Sequence, residues 1–572
     1  MQWDLTDILA SLDAKDTKPY FDELERLVQE VEAVEDRLET LTRKDVEAIL
    51  HTQGRLREVA RRLSYRGMLA FSSDTTDDEA KTFMERTRQI TTEAGNRVRF
   101  FSHWLKHLDE DRLAQLTPED PELAHYVKVL RLEAPYTLEQ EIEEVMADKD
   151  MAGVSAVRQA REILTSSLRF TDPESGEEVT QSDILKHIHG GDRQLRRAAY
   201  QELFRVFGEH EALLAHIYRS IIRDWNTENL KHRGYPRSMT PMNMANEVSD
   251  EVVTTMLGVC RERREVWQRY FAWKAQRVGE PFTRYDIYAP IEAETLEVPF
   301  DEARETVMQV YQGFHPTFHE LAQRVFDEEH VDAFPRPKKR GGAFCATPLT
   351  DMTPYVLLNH TDDARSVSTL AHEFGHAIHS MLAAERHPLV SSSPLPLAET
   401  ASVFSELLLH HHLVAEHPEA AEALTNERLG DLYATIQRQA YFAEFESKAH
   451  DLVMEGQPTQ AINHAYYELL EEQFGDLDVP EAFSKEWLII PHFNASPFYV
   501  SSYSFGALLS ISLYKRYQED PSFAESILAI LAAGGSRDPA ELLAEHGIDI
   551  TQAGFWHGGM DVVEGMVEEL GA

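Results

Sequence analysis

Ala371-His372-Glu373-Phe374-Gly375-His376-Ala377 sets two histidines four residues apart, with a glutamate directly after the first. On a helix that spacing stacks the imidazoles one turn apart on one face, so both can reach a single metal ion. The surroundings read as a helix. From Asp363 onward Val367, Leu370, Ala371, Phe374, Ile378, Met381 and Leu382 recur at helical steps and form a stripe about 120° wide. His372, His376 and His379 fall about 120–180° from its centre with Glu373 beside them, which makes a second face. A solvated face would carry mixed Glu, Lys and Arg, whereas a row of histidines with one carboxylate suits a polar cavity. The context matters because a shuffled chain of this composition, with its 26 histidines, would hold about 0.1 such motifs.

A catalytic zinc site takes three protein ligands and leaves one position for water. His379 lies about 10 Å along the axis from His372, too far to share one ion with it, and Glu385 fails in the same way. Thr361-Asp362-Asp363 offers an N-cap, and the preceding Tyr355–Asn359 reads as a strand that would set the helix beside a sheet edge. Past the turn Ser391–Pro396, a second helix is expected over Leu397–Leu409 with Glu399 in its first turn and Glu406 two turns on. A helical hairpin would return Glu399 to the histidines as third ligand and leave Glu406 as outer support. His410-His411-His412 point about 100° apart and cannot chelate one ion together. Those three, like His187 and His189, read as surface or packing residues.

With 572 residues the chain has room for several domains of about 150 residues or for one large helical body. Leu24, Leu27, Val28, Val31, Val34, Leu38 and Leu41 predict an amphipathic helix over Phe21–Leu50. Similar patterns over Asp45–Leu69, and from the cap signal Ser73–Asp78 to Leu108, extend this into an N-terminal helical bundle. Phe282–Tyr288 reads as a strand and the basic Pro335–Gly342 as an exposed loop.

A formal charge of −42 repels polyanions and excludes nucleic acid and anionic membrane surfaces as expected partners. No apolar run approaches the ~18 residues of a membrane span, and Met1-Gln2-Trp3-Asp4-Leu5 lacks the basic and apolar run of a signal peptide, so a cytoplasmic protein is expected. Cys260 and Cys345 are too few for a disulfide framework and too distant for a CxxC site, and both are expected to be reduced and structural.

These segments resemble those of oligoendopeptidase F, within the zinc oligopeptidases that include thimet oligopeptidase and neurolysin. The likeness rests on Trp3-Asp4-Leu5, on Pro354–Asn359 leading into Leu370–His376, on Arg438–Glu446, and on His492-Phe493 followed by Phe498-Tyr499-Val500. It implies a mainly α, bilobal, zincin-like body with a small β-sheet beside the motif helix and a deep substrate channel. The expected division is an N-terminal helical domain over residues 1–190 and a catalytic domain over 191–572. The resemblance further implies one zinc ion on His372, His376 and Glu399, catalysis by Glu373, oxyanion stabilisation by His492 and Tyr499, and a substrate contact by Tyr503. Ser501–Gly506 is leaner in glycine and tyrosine than its thimet-type counterpart. The implied activity is zinc-dependent endoproteolysis of short unfolded peptides, by a monomer or homodimer. The alternatives are a carboxypeptidase of the Taq or dipeptidyl type, or a silent peptide-binding scaffold, for which an intact HExxH would be surplus.

Overall fold

The N-terminal apolar stripes fold as long helices over Ala14–Glu32, Arg43–Ser73 and Asp78–His107 in a computed structural model that describes residues 2–291 and 296–571. Leu24, Leu27, Val28 and Val31 are buried as the periodicity requires. The helix expected over Phe21–Leu50 is interrupted. It stops at Glu32 and gives way to a 3₁₀ turn over Glu35–Thr40, in which Arg37 leaves helical dihedrals. A new helix then starts because the Thr42 and Asp45 side chains each accept the other's backbone N–H in a capping box.

The chain forms two compact units, each assembled from separate stretches. The first comprises Met1–Pro135, Thr295–Glu416 and Leu513–Asp549; the second comprises Tyr136–Glu294, His417–Ser512 and Ile550–Ala572. Among the described residues the sheets are small. The second unit holds a hairpin of β1 (Phe170–Thr171) and β2 (Glu178–Val179). The first holds β3 (Val331–Asp332), β4 (Phe344–Ala346) and β5 (Tyr355–Leu357) in the order β3-β5-β4. The strand expected before the motif helix is β5, but it is the central strand, parallel to β3 and antiparallel to β4, and it is buried throughout. The edge on this side is therefore β4.

One other reading is corrected. Phe282–Tyr288 is not a strand: Arg284–Asp286 is a 3₁₀ turn, closed by a capping box between Thr283 and Asp286. The buried pairs Arg196–Asp286 at 2.7 Å and Arg284–Glu486 at 2.9 Å fix that turn and override its β propensity. Pro335–Gly342 is the mostly exposed loop expected, tied down at two points. Arg336 grips Asp332 through both guanidinium nitrogens, and the fully buried Lys339 ammonium lies 2.9 Å from the same carboxylate.

Candidate metal centre

The motif lies in the helix Ala364–Leu382, started by Asp363, whose side chain accepts the Ser366 N–H at 2.7 Å. Val367, Leu370, Phe374 and Ile378 are fully buried, and the Tyr311 hydroxyl donates to the Ala371 carbonyl at 2.9 Å. This core face fixes the helix rotation, which leaves His372 and His376 partly accessible on the other side.

The expected helix over Leu397–Leu409 is broken. A short turn over Leu395–Ala398 ends at Glu399, and a longer helix runs over Thr400–Glu416, so Glu399 stands at the junction rather than inside a first turn. Pro394 and Pro396 favour that irregular entry. The long helix crosses the motif helix at Gly375. A Cβ there would stand 2.5 Å from the Ser402 Cα and 2.6 Å from the Ala401 carbonyl oxygen, so only glycine permits this approach. Ser402 in turn donates to the Glu399 carboxylate at 2.8 Å and aims it. Neither residue was singled out by the sequence reading, although a glycine inside a helical pattern is itself a signal of close packing.

The outcome is a triangle of ligand atoms. His372 Nε2 and His376 Nε2 are 3.2 Å apart, and Glu399 Oε2 is 3.6 Å from the first and 3.5 Å from the second. Four-coordinate zinc with bonds of about 2.0–2.1 Å separates its ligands by about 3.3 Å, so the three residues fit such an ion. The donor chemistry fits as well: two imidazole nitrogens and one carboxylate oxygen converge on one point. Glu406 lies 2.5 Å from His372 Nδ1, which holds the ring and turns its Nε2 toward the triangle.

The groups of the triangle differ in their electrostatics. Burial lowers the His372 pKa, but the bond to Glu406 and the nearby carboxylates outweigh it and push it up to about 9. Burial and the positive His372 pull His376 down to about 4. Burial pushes Glu373 up to about 7, against the attraction of His372 and with help from the charge of Glu399. Glu373 is only 7% exposed, and a backbone hydrogen bond from Cys345 on the edge strand β4 also reaches it. His379, excluded as a ligand by spacing, lies apart from the triangle with its Nε2 2.9 Å from the Ser393 hydroxyl.

His492, Tyr499 and Tyr503 belong to the second unit. They form their own aromatic cluster, with Tyr503 meeting His492 at 5.8 Å and Tyr499 at 5.2 Å between centroids, both edge-on. All three are partly accessible amid buried neighbours such as Phe493, Phe498 and Val500. Burial and the nearby Arg438 lower the His492 pKa, which favours the neutral imidazole. The second unit also brings together Asp150, Asp224 and Glu228, an all-carboxylate group that the sequence reading did not find; Arg233 pairs with Glu228 at 2.7 Å.

A helix-borne histidine pair completed by a glutamate at the break just before the next long helix, in a mainly helical frame with small sheets, defines a metallopeptidase of the HExxH class. Similarity to known proteins narrows the class. The sequence model of peptidase family M3 matches residues 187–562, and that of Oligopeptidase F matches residues 104–170. The oligoendopeptidase F homolog of Borreliella burgdorferi is 26% identical over 530 residues, covering 89% of this chain and 88% of that protein. Group B oligopeptidase PepB of Streptococcus agalactiae is 27% identical over 513 residues, covering 87% and 85%. The crystal structure of oligoendopeptidase-F from Enterococcus faecium shares the fold, with a TM-score of 0.72 at 22% identity over 97% of this chain and 98% of that one. The chain belongs to peptidase family M3 and is a metal-dependent endopeptidase that acts on oligopeptides.

Proposed function

We propose that His372, His376 and Glu399 hold a single zinc ion and that Glu373 moves the proton in peptide hydrolysis. The observation that carries this reading is the ligand triangle, whose edges of 3.2, 3.5 and 3.6 Å suit one small tetrahedral ion. When bound, zinc would supply a Lewis acid that lowers the pKa of a water molecule toward about 7 and polarises the scissile carbonyl. Glu373, sheltered from solvent and with a pKa already raised by burial, takes a proton from the attacking water and returns it to the leaving amine. Glu406 keeps the His372 ring oriented, and Ser402 does the same for Glu399.

His492 and Tyr499 are proposed as hydrogen-bond donors to the developing oxyanion and Tyr503 as a substrate contact, a reading supported by the resemblance of this segment to its relatives and by the accessible faces of the three rings. All of these residues fall within 191–572, which supports that stretch as the catalytic part of the chain. The substrates are short unfolded peptides. The net charge of −42 disfavours nucleic acid and anionic membrane surfaces as partners, and among the described residues no helix is long and apolar enough to cross a membrane.

Cleavage mapping by mass spectrometry on end-blocked peptides of about ten residues tests the proposal. Internal cuts should appear, cease after chelation and return with zinc. Trimming confined to free C-termini, or cleavage indifferent to chelation, would contradict it.

A further inference from the structure

Glu446 lies in the helix Arg438–Met454 of the second unit and is fully buried. No cation faces it among the described residues. Both its carboxylate oxygens instead accept the backbone N–H of Phe498, each at 3.1 Å. Phe498 has φ +63°, a left-handed conformation in which the Cβ of a bulky residue crowds its own backbone. Such a conformation persists only where surrounding contacts over-determine it.

Here they do. The Phe498 ring is buried and meets the His450 ring at 4.8 Å between centroids, and His450 Nδ1 lies 3.2 Å from the Asn226 side-chain oxygen. The Phe498 carbonyl accepts the Ser501 hydroxyl at 2.9 Å and so anchors the start of the helix Val500–Glu519. One turn on, the Asn246 amide donates to the Ser502 hydroxyl at 3.0 Å. Tyr499 sits between these anchors, and the direction in which it leaves the chain follows from the dihedrals of Phe498.

We propose that Glu446 is a positioning residue, a buried latch that holds Phe498 in its left-handed conformation and thereby aims Tyr499 at the reacting peptide. The inference rests on the oxyanion role proposed for Tyr499. It assigns the helix Arg438–Met454 a part in catalysis although Glu446 touches no substrate. A carboxyl, or a carboxamide in its place, supplies the acceptor that Phe498 needs, and an aliphatic side chain does not.

The test compares Glu446→Leu, Glu446→Gln, Tyr499→Phe and the double variant Glu446→Leu/Tyr499→Phe in the full zinc-loaded chain. Tyr499→Phe should lower kcat by about 100-fold with KM little changed, as the loss of one oxyanion donor does. Glu446→Leu should match that loss with zinc content unaltered, the double variant should lose no more than either alone, and Glu446→Gln should stay within a few-fold of the parent. Hydrogen exchange across residues 497–504 should quicken in Glu446→Leu and not in Glu446→Gln. Unchanged exchange in Glu446→Leu, or losses that multiply in the double variant, would overturn the latch. Parental turnover by Tyr499→Phe would remove the oxyanion reading and with it the catalytic purpose of the latch, while exchange in Glu446→Leu separately reports whether the latch exists. Should Glu446→Leu fail to fold, Glu446→Met, equally without a carbonyl acceptor, gives the same readout.

Discussion

Glu406 and Glu446 are both sheltered glutamates that orient another group, yet the groups they face differ in kind. Glu406, in the first unit, lies 2.5 Å from His372 Nδ1, and its bond and charge outweigh burial in raising the pKa of that imidazole. Glu446, in the second, has only a backbone amide as partner, and burial pushes its pKa up to about 8, so it is held largely neutral near pH 7. The difference shows that a sheltered glutamate can orient an ionisable ring or a backbone amide, and that burial against an amide dipole alone favours the neutral carboxyl.

The contrast is broken most severely where the first site loses its geometry. Gly375→Ala should push Ser402 and Glu399 away from the histidines, because the added methyl overlaps the Ser402 backbone. A loss of about 100-fold or more in turnover, together with reduced zinc content by elemental analysis, is expected. Glu406→Gln is milder. It keeps the shape but removes the charge that steadies His372, and zinc affinity measured by competition with a chelator should fall about 10–100-fold.

A different readout, stability, addresses the second site. Because the folded pKa of Glu446 is raised, the folded chain binds one proton more than the unfolded chain between about pH 4.5 and about pH 8. The stability this group contributes is therefore complete below the unfolded value and is lost as pH rises through the folded one. Glu446→Gln removes that dependence. Its stability relative to the parent in urea should improve by about 1.4 kcal/mol per pH unit at most across that window. A relative stability independent of pH would show that Glu446 is ionised in the fold.

Much of the first site could be read from the sequence because its information is local. The helical period around His372 and His376 separates core face from metal face within one element, and the core residues Val367, Leu370, Phe374 and Ile378 are buried as that period demands. Glu399 was reached by chain geometry and resemblance, but its position at a helix break was not, because the break depends on how closely a neighbouring backbone approaches Gly375. Phe282–Tyr288 misled for a related reason: its β-prone residues are overruled by buried ion pairs with Arg196 and Glu486, far away in sequence. The partnership of Glu446 with Phe498 spans 52 residues and is made through a backbone amide, which no side-chain pattern encodes.

The central claim is that the triangle holds zinc while Glu373 handles the proton. It is tested most directly by measuring zinc stoichiometry and peptide turnover on Glu373→Gln, alongside circular dichroism to establish folding. The account predicts a folded chain with one zinc ion bound and turnover reduced by about 1000-fold or more. A folded, zinc-loaded Glu373→Gln that cleaves peptides at the parental rate would contradict it.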